Sequence, residues 1–136
     1  MKRVLKLSIL LFGATLFFVS CEKDLEADAD VNYRDEFLGV WTAVENGDVN
    51  GVQSYQINIS AGSAEDEIIF NGIYNLNNVK VTAFVTGFNV SIPKQTIQGI
   101  TFTGSGQAVA NFDNININFT ANDGSGDDNV SVQLTR

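Results

Sequence analysis

Two stretches of this 136-residue chain gather enough oxygen donors to suggest chemistry. Glu65-Asp66-Glu67 sets three carboxylates in a row, the raw material of a general acid/base pair. Such a pair needs two carboxyl groups held together in environments that push their pKa values apart. Neighbours in a connecting segment splay instead, so the expectation is a solvated loop. Asp123-Gly124-Ser125-Gly126-Asp127-Asp128-Asn129 has the acids and glycines of a calcium loop. It lacks the alternating Asp-x-Asp-x-Asp-Gly spacing and the distal bidentate glutamate that fix calcium geometry, and it reads as a hairpin loop. With no histidine, the common imidazole base and metal ligand are missing, and one cysteine makes no internal disulfide. No catalytic residue, metal site or cofactor is expected, and the chain is read as a non-enzyme. Four Asn-x-Ser/Thr triplets, at Asn58, Asn89, Asn118 and Asn129, are read as strand-surface chemistry.

The charge balance narrows the partners. Eight basic side chains face sixteen acidic ones, for a net charge of −8. Lys2, Arg3 and Lys6 sit in the first six residues, so the remainder is more acidic still. A field of that sign repels phosphate backbones, which removes nucleic acid as a partner.

The lone thiol, Cys21, closes a distinctive leader. Met1-Lys2-Arg3 is a basic start, and Val4 to Val19 is apolar apart from Lys6, Ser8 and Thr15. That run is short for a membrane-spanning helix, which needs roughly twenty predominantly apolar residues. It ends at Phe18-Val19-Ser20-Cys21, with no basic stop-transfer cluster. The pattern resembles bacterial lipoprotein signals of the looser kind found in Bacteroidota. The resemblance implies cleavage before Cys21, diacylation of its thiol, and residues 1–20 as a removed signal peptide. Residues 21–30, from Cys21 through Glu22-Lys23-Asp24 to Asp30, are acidic and poor in large apolar groups, and read as a solvated tether. An acidic stretch behind the cysteine also resembles Bacteroidota surface-export signals. It implies an outer-membrane lipoprotein displayed at the surface, with a periplasm-facing spacer as the alternative.

From residue 31 onward the chain reads as one domain. Val31 to Leu38 is expected to form a short helical turn, with Asn32 as cap and Tyr33, Phe37 and Leu38 on one side. After Gly39-Val40-Trp41 the apolar period is two. Tyr55, Ile57 and Ile59 alternate with polar residues, as do Val79, Val81, Ala83 and Val85, with Phe84 the exception. Ile115, Ile117 and Phe119, then Val130, Val132 and Leu134, do the same. One wet and one dry face per segment means antiparallel strands around a single interior. Turn residues divide eight strands near 39–45, 54–60, 67–75, 79–86, 88–93, 97–109, 114–121 and 129–135, with Pro93-Lys94 taken as one of the turns. Connections this short leave no room for crossover helices, so the fold class is all-β, an antiparallel up-and-down meander. Closure into a small eight-stranded barrel would remove exposed edges; a sandwich gives the same alternation. Ile100, Phe102, Gly104, Gly106 and Ala108 share one face, where the glycines permit a sharp barrel corner.

Gly39-x-Trp41 after a helical turn and before a meander resembles the lipocalin and calycin barrels. The acylated cysteine, acidic spacer and Tyr33-Arg34-Asp35-x-Phe37-x-Gly39-x-Trp41 are similar to the small lipocalin-like lipoproteins of Bacteroidota. The resemblance implies that Trp41 closes one barrel end beneath a late basic side chain, for which Arg136 is the candidate. The ligand-lining candidates are Trp41, Tyr55, Tyr74, Phe84, Phe102 and Phe119, with filling of the core as the competing role for this aromatic area. Two functions remain open at this point. One is a lipid-anchored module binding a small apolar or amphipathic ligand. The other is an envelope interaction or scaffolding lipoprotein with a filled core, whose loops at 46–53 and 122–128 meet a partner protein or glycan.

Overall fold

The computed structural model describes residues 31–136; the leader at 1–20, Cys21 and the tether at 21–30 lie outside the described residues. A one-turn helix, α1 (Arg34–Phe37), precedes eight strands: β1 (Gly39–Gly47), β2 (Gly51–Ala61), β3 (Glu67–Asn71), β4 (Lys80–Thr86), β5 (Asn89–Ile97), β6 (Ile100–Ala108), β7 (Asn114–Asn122) and β8 (Asp127–Thr135). Each strand pairs antiparallel with the next, and β8 returns to β1 with Ala43 opposite Leu134 and Glu45 opposite Val132. The meander is therefore a closed barrel, which settles the choice against a sandwich.

Parity along each strand decides what enters the barrel. In β1, Trp41, Ala43 and Glu45 point in while Thr42, Val44 and Asn46 point out; in β8, Asp128, Val130, Val132 and Leu134 point in. The interior is continuous from Phe37, Ile57, Ile59 and Phe70 to Phe102 and Ile117. Burying each such side chain contributes roughly 1.5–3 kcal/mol. This dry-inside, wet-outside polarity is the reverse of a membrane-spanning barrel.

The strands depart furthest from the periodicity where β3 and β5 end. β3 ends at Asn71 and does not run to 75, because the chain turns at Gly72 (φ +97) into a 3₁₀ turn, Ile73–Asn75, with Tyr74 and Asn75 also at positive φ. Pro93-Lys94 is not a turn. Pro93 lies inside β5, where the pairing with β6 shifts between Ile92 and Gln95, and a residue without an N–H is tolerated at such a bulge. The β4–β5 ladder runs only from Phe84 to Thr86, and beyond it the Gln95 amide takes over, accepting from Thr82 N (2.9 Å) and donating to Thr82 O (2.7 Å). The hairpin instead turns at Gln98-Gly99, both at positive φ, the conformation of a two-residue type I′ turn. The expected corner in β6 is present. A Cβ on Gly104 would fall against Asn118 O and Phe119 Cβ closer than side chains approach, so the missing side chain lets β6 press onto β7.

One end of the barrel is sealed. Trp41 is fully buried and its Nε1–H donates to Phe37 O at 2.9 Å. Arg136 Cζ lies 4.2 Å from the Trp41 ring centroid. Its guanidinium donates to Glu36 O (2.6 Å) and Leu38 O (3.4 Å) at the end of α1. Tyr33, Phe37, Phe88 and Phe112 pack edge and face around this plug. Asn32 is not the cap expected of it: the N-cap position is Tyr33, without a side-chain cap bond, and Asn32 one residue earlier accepts from Arg34 N at 2.9 Å and donates to Glu65 O. We call this end the base; the segments 62–66, 87–88 and 109–113 share it.

Candidate functional site

The opposite end carries the chemistry. There the connections 48–50, 72–79, 98–99 and 123–126 meet, and the inward positions of β1 and β8 deliver Glu45 and Asp128. These are the two acids among the buried residues, at 0% and 3% exposed. Asp128 lies over Gly47, where an added Cβ would come within 3.0 Å of Oδ2. Glu45 is one inward position deeper along β1.

A phenol network joins them. Asp128 Oδ1 accepts from Val49 N (2.9 Å) and Oδ2 from the Tyr74 hydroxyl (2.7 Å); Asn50 Nδ2 donates to that same hydroxyl oxygen (2.7 Å). Tyr55 donates to Glu45 Oε2 and accepts from Tyr74 N (3.0 Å). Glu45 Oε1 has no partner among the described residues. Burial raises the Glu45 pKa above the ordinary carboxylate value and the nearby Asp128 charge adds to it, against the opposing hydrogen bond from Tyr55. Burial likewise raises Tyr55, reinforced by Glu45, and pushes Tyr74 up to about 12 with help from Asp128. Both phenols therefore serve as neutral donors at physiological pH.

Tyr74 holds this position at φ +61, in the left-handed region that a residue with a bulky side chain rarely adopts. Residues so held cost on the order of 1–3 kcal/mol and persist where their surroundings over-determine them. Its ring stands edge-on to Phe102 (6.3 Å) and Phe119 (6.1 Å), capping the upper interior. Above that cap a pocket of about 70 Å³ remains between Val49, Tyr74, Ile100, Ala121, Asp123 and Asp128.

The six aromatic residues expected to line one ligand cavity do not converge. Trp41 belongs to the base. Phe84 lies on the outer face of β4, opposite Glu67 and Ser91, because its parity is that of Lys80 and Thr82. Tyr55, Tyr74, Phe102 and Phe119 do gather in the upper interior, where their rings fill the space. The two loops expected to meet partners are also shorter than supposed, since strands occupy all but 48–50 of the first and all but 123–126 of the second. Glu65 and Asp66 are exposed, and Glu67 folds back to accept from Ser63 and Ala64, so the acidic run forms no dyad. In the 123–126 loop Asp123 accepts from Ser125 N and Oγ, which lowers its pKa. Sequence reasoning missed Glu45, and it placed Asn50 in a contact loop and Asp128 in a hairpin loop without their part in this network. Parity contained the signal for two of them, since Glu45 follows Trp41 and Ala43, and Asp128 precedes Val130 and Val132, on the dry face.

Among solved structures, the chain is similar to a redesigned β-barrel at TM-score 0.54 and 9% identity, over 80% of this chain and 98% of that one. The likeness is one of barrel fold. A protein of unknown function from Bacteroides ovatus aligns at TM-score 0.46 and 11% identity, over 73% of this chain and 41% of that chain, so the match spans less than half of that protein. No protein-family model and no curated protein matches the sequence.

Proposed function

We propose that this chain is a non-catalytic, lipid-anchored binding module of the cell envelope, a small lipocalin-like lipoprotein of the outer membrane that presents its far-end loops to a partner protein or glycan. The observation that carries this is the division of labour between the two barrel ends. Val31, where the tether joins the domain, enters at the sealed base beside α1, so an acyl group on Cys21 leaves the 48–50, 98–99 and 123–126 connections facing away from the membrane. The interior supports a rigid frame over a carrier, because aromatic rings fill its upper half. Val49 and Val52, 72% and 74% exposed at the β1–β2 hairpin, give the far end an apolar contact point that solvent alone does not favour.

The test combines fractionation with site-specific crosslinking. The wild-type chain partitions with outer membranes and Cys21→Ala is released. A photo-reactive residue at Val49 or Val52 gives a discrete envelope adduct that the same residue at Val109, on the base, does not. Equal labelling from both ends, or a Cys21→Ala protein that stays membrane-bound, overturns the reading. Carriage of a small apolar or amphipathic molecule is the second reading, favoured by the polar rim that Tyr74 and Asp128 place over Phe102 and Phe119. Repeated recovery of bare protein by native mass spectrometry removes it.

A further inference from the structure

The Asn-x-Ser/Thr triplets do more than make a strand polar. Parity puts the first and third residue of such a triplet on one face, so Asn118-x-Thr120 in β7 and Asn129-x-Ser131 in β8 each set an amide beside a hydroxyl on the outside of the barrel. The register then lays the two pairs head to tail, with Asn118 opposite Ser131 and Thr120 opposite Asn129. Ser105 and Thr103 of β6 lengthen both rows on one side, and Asn46 of β1 lengthens the first on the other. The result is a block of carboxamides and hydroxyls four strands wide. Among the outward positions of these strands Asp127 is the charged residue. Soluble surfaces ordinarily intersperse charges of both signs, and this chain carries −8 overall, so a wide uncharged face is out of character. The acids at its edge are already held, Asp127 by Asn122 (2.6 Å) and Asp48 by Asn129 (3.0 Å).

The same face is hollowed. A shallow groove of about 500 Å³ lies between Asn46, Thr103, Asn118, Thr120, Asn129 and Ser131. It shares Thr103 and Thr120 with a second hollow of about 480 Å³ that reaches Lys94 and Asn122, and Asn118 and Ser131 with a third of about 190 Å³ that reaches Asn116 and Gln133. Together they follow β7 from Asn122 to Asn116, a span of about 20 Å at the rise of a strand. Asn46, Asn118 and Ser131 line the middle exposed, without a side-chain partner among the described residues. A protein partner draws on aromatic, methionine and arginine side chains, and the outward residues of these four strands supply none. The net charge repels nucleic acid and acidic polymers. An uncharged sugar chain fits instead, because its adjacent hydroxyls both donate and accept, as a carboxamide does. The short Asn, Ser and Thr side chains stand on backbone already locked in the barrel, so little order has to be supplied on binding. We propose that this groove binds a linear, uncharged oligosaccharide, with its hydroxyls on the carboxamides of Asn46, Asn118 and Asn129 and on the Ser131 hydroxyl. It lies on the side of the barrel and does not rest on the far-end reading.

The experiment is a chemical-shift titration of the side-chain amides in the full chain, held in micelles of a detergent that carries no sugar. The probes are maltohexaose, xylohexaose and mannohexaose; the controls are hexagalacturonate, which bears a carboxylate on every residue, and glycerol at matched hydroxyl concentration. At least one neutral hexasaccharide should give saturable shifts at Asn46, Asn118 and Asn129 with a dissociation constant around the millimolar range, and neither control should. The matching disaccharide, too short for the groove, should bind at least about tenfold more weakly. Asn118→Ala should weaken binding about tenfold, and Ser131→Glu, which sets bulk and charge across the middle of the groove, should abolish it. Either variant decides the matter if the other loses its folded spectrum, and Val52→Ser at the far end should change nothing. Silence from all the neutral hexasaccharides, shifts reproduced by either control, a disaccharide that binds as well, or unchanged affinity in a folded Asn118→Ala or Ser131→Glu overturns the proposal. The shifts read the side of the barrel and the crosslinks from Val49 or Val52 read its far end, so either result can fail without the other.

Discussion

Arg136 covers Trp41. Its Cζ lies 4.2 Å from the indole centroid while its guanidinium holds the carbonyls of Glu36 and Leu38, so one side chain binds the end of β8 to α1 and to the start of β1. A cation over a desolvated indole contributes about 0.5–2 kcal/mol, and the two carbonyl bonds add to it.

Arg136→Ala should therefore lower unfolding free energy by about 1–3 kcal/mol. Arg136→Lys should recover only part, since an ammonium keeps the charge but cannot stack and reach two carbonyls together. Urea unfolding followed by Trp41 fluorescence measures both, and an Arg136→Ala variant as stable as wild type contradicts the contact.

Glu45 sets a pH dependence with a definite sign. Its pKa is raised in the folded chain above the ordinary 4.5, so the folded state binds its proton more tightly than the unfolded state does. That contribution is full below the ordinary value and drains away as pH rises through the folded one. Glu45→Gln, which stays neutral, should flatten stability across the window that opens at 4.5 and raise it at neutral pH. Denaturant midpoints measured from pH 4 to 8 in both proteins check this, and parallel curves refute it.

Gln95 stands in for a strand. Gln95→Ala should leave Thr82 N and O without their partners beside Pro93 and lower stability by about 1–3 kcal/mol. It should also speed hydrogen exchange at the Thr82 amide more than at Val81 or Ala83. Uniform change along β4 would show that the side chain is not the local bridge.

Gly104→Ala should destabilise by about 1–3 kcal/mol, because the new methyl meets the β7 backbone and not a movable side-chain tip. Alanine at Gly124, where nothing lies within 4 Å, costs only the strain of its positive φ and serves as the comparison. Thermal melts that rank Gly124→Ala as the worse of the two count against close β6–β7 packing.

The barrel was legible because parity is a local signal. Trp41 and Ala43, then Ile115, Ile117 and Phe119, announce a dry face whatever their partners are. The 72–75 turn was not, since Ile73, Tyr74 and Leu76 keep strand-like composition; Gly72 lets the chain turn, and the bonds of Tyr74 to distant Asn50 and Asp128 hold it there. Pro93 misled for a similar reason: its missing N–H is excused by Gln95 reaching across to Thr82, a tertiary event. The site was half legible. Aromatic content pointed to Tyr55, Tyr74, Phe102 and Phe119, while Phe84 was ranked by residue type against its own parity. Glu45 went unnoticed and Asp128 was read as part of a hairpin loop, because acids at the ends of strands look like ordinary surface.

The pairing of β1 with β8 has a temporal side. Residues 42–47 find their second neighbour only in residues 130–135, so the ring cannot shut until nearly the whole polypeptide is available. Contacts of that sequence separation slow folding. Until β8 arrives, β1 keeps a bare edge of unpaired backbone groups, and only the arrival of residues 130–135 covers it.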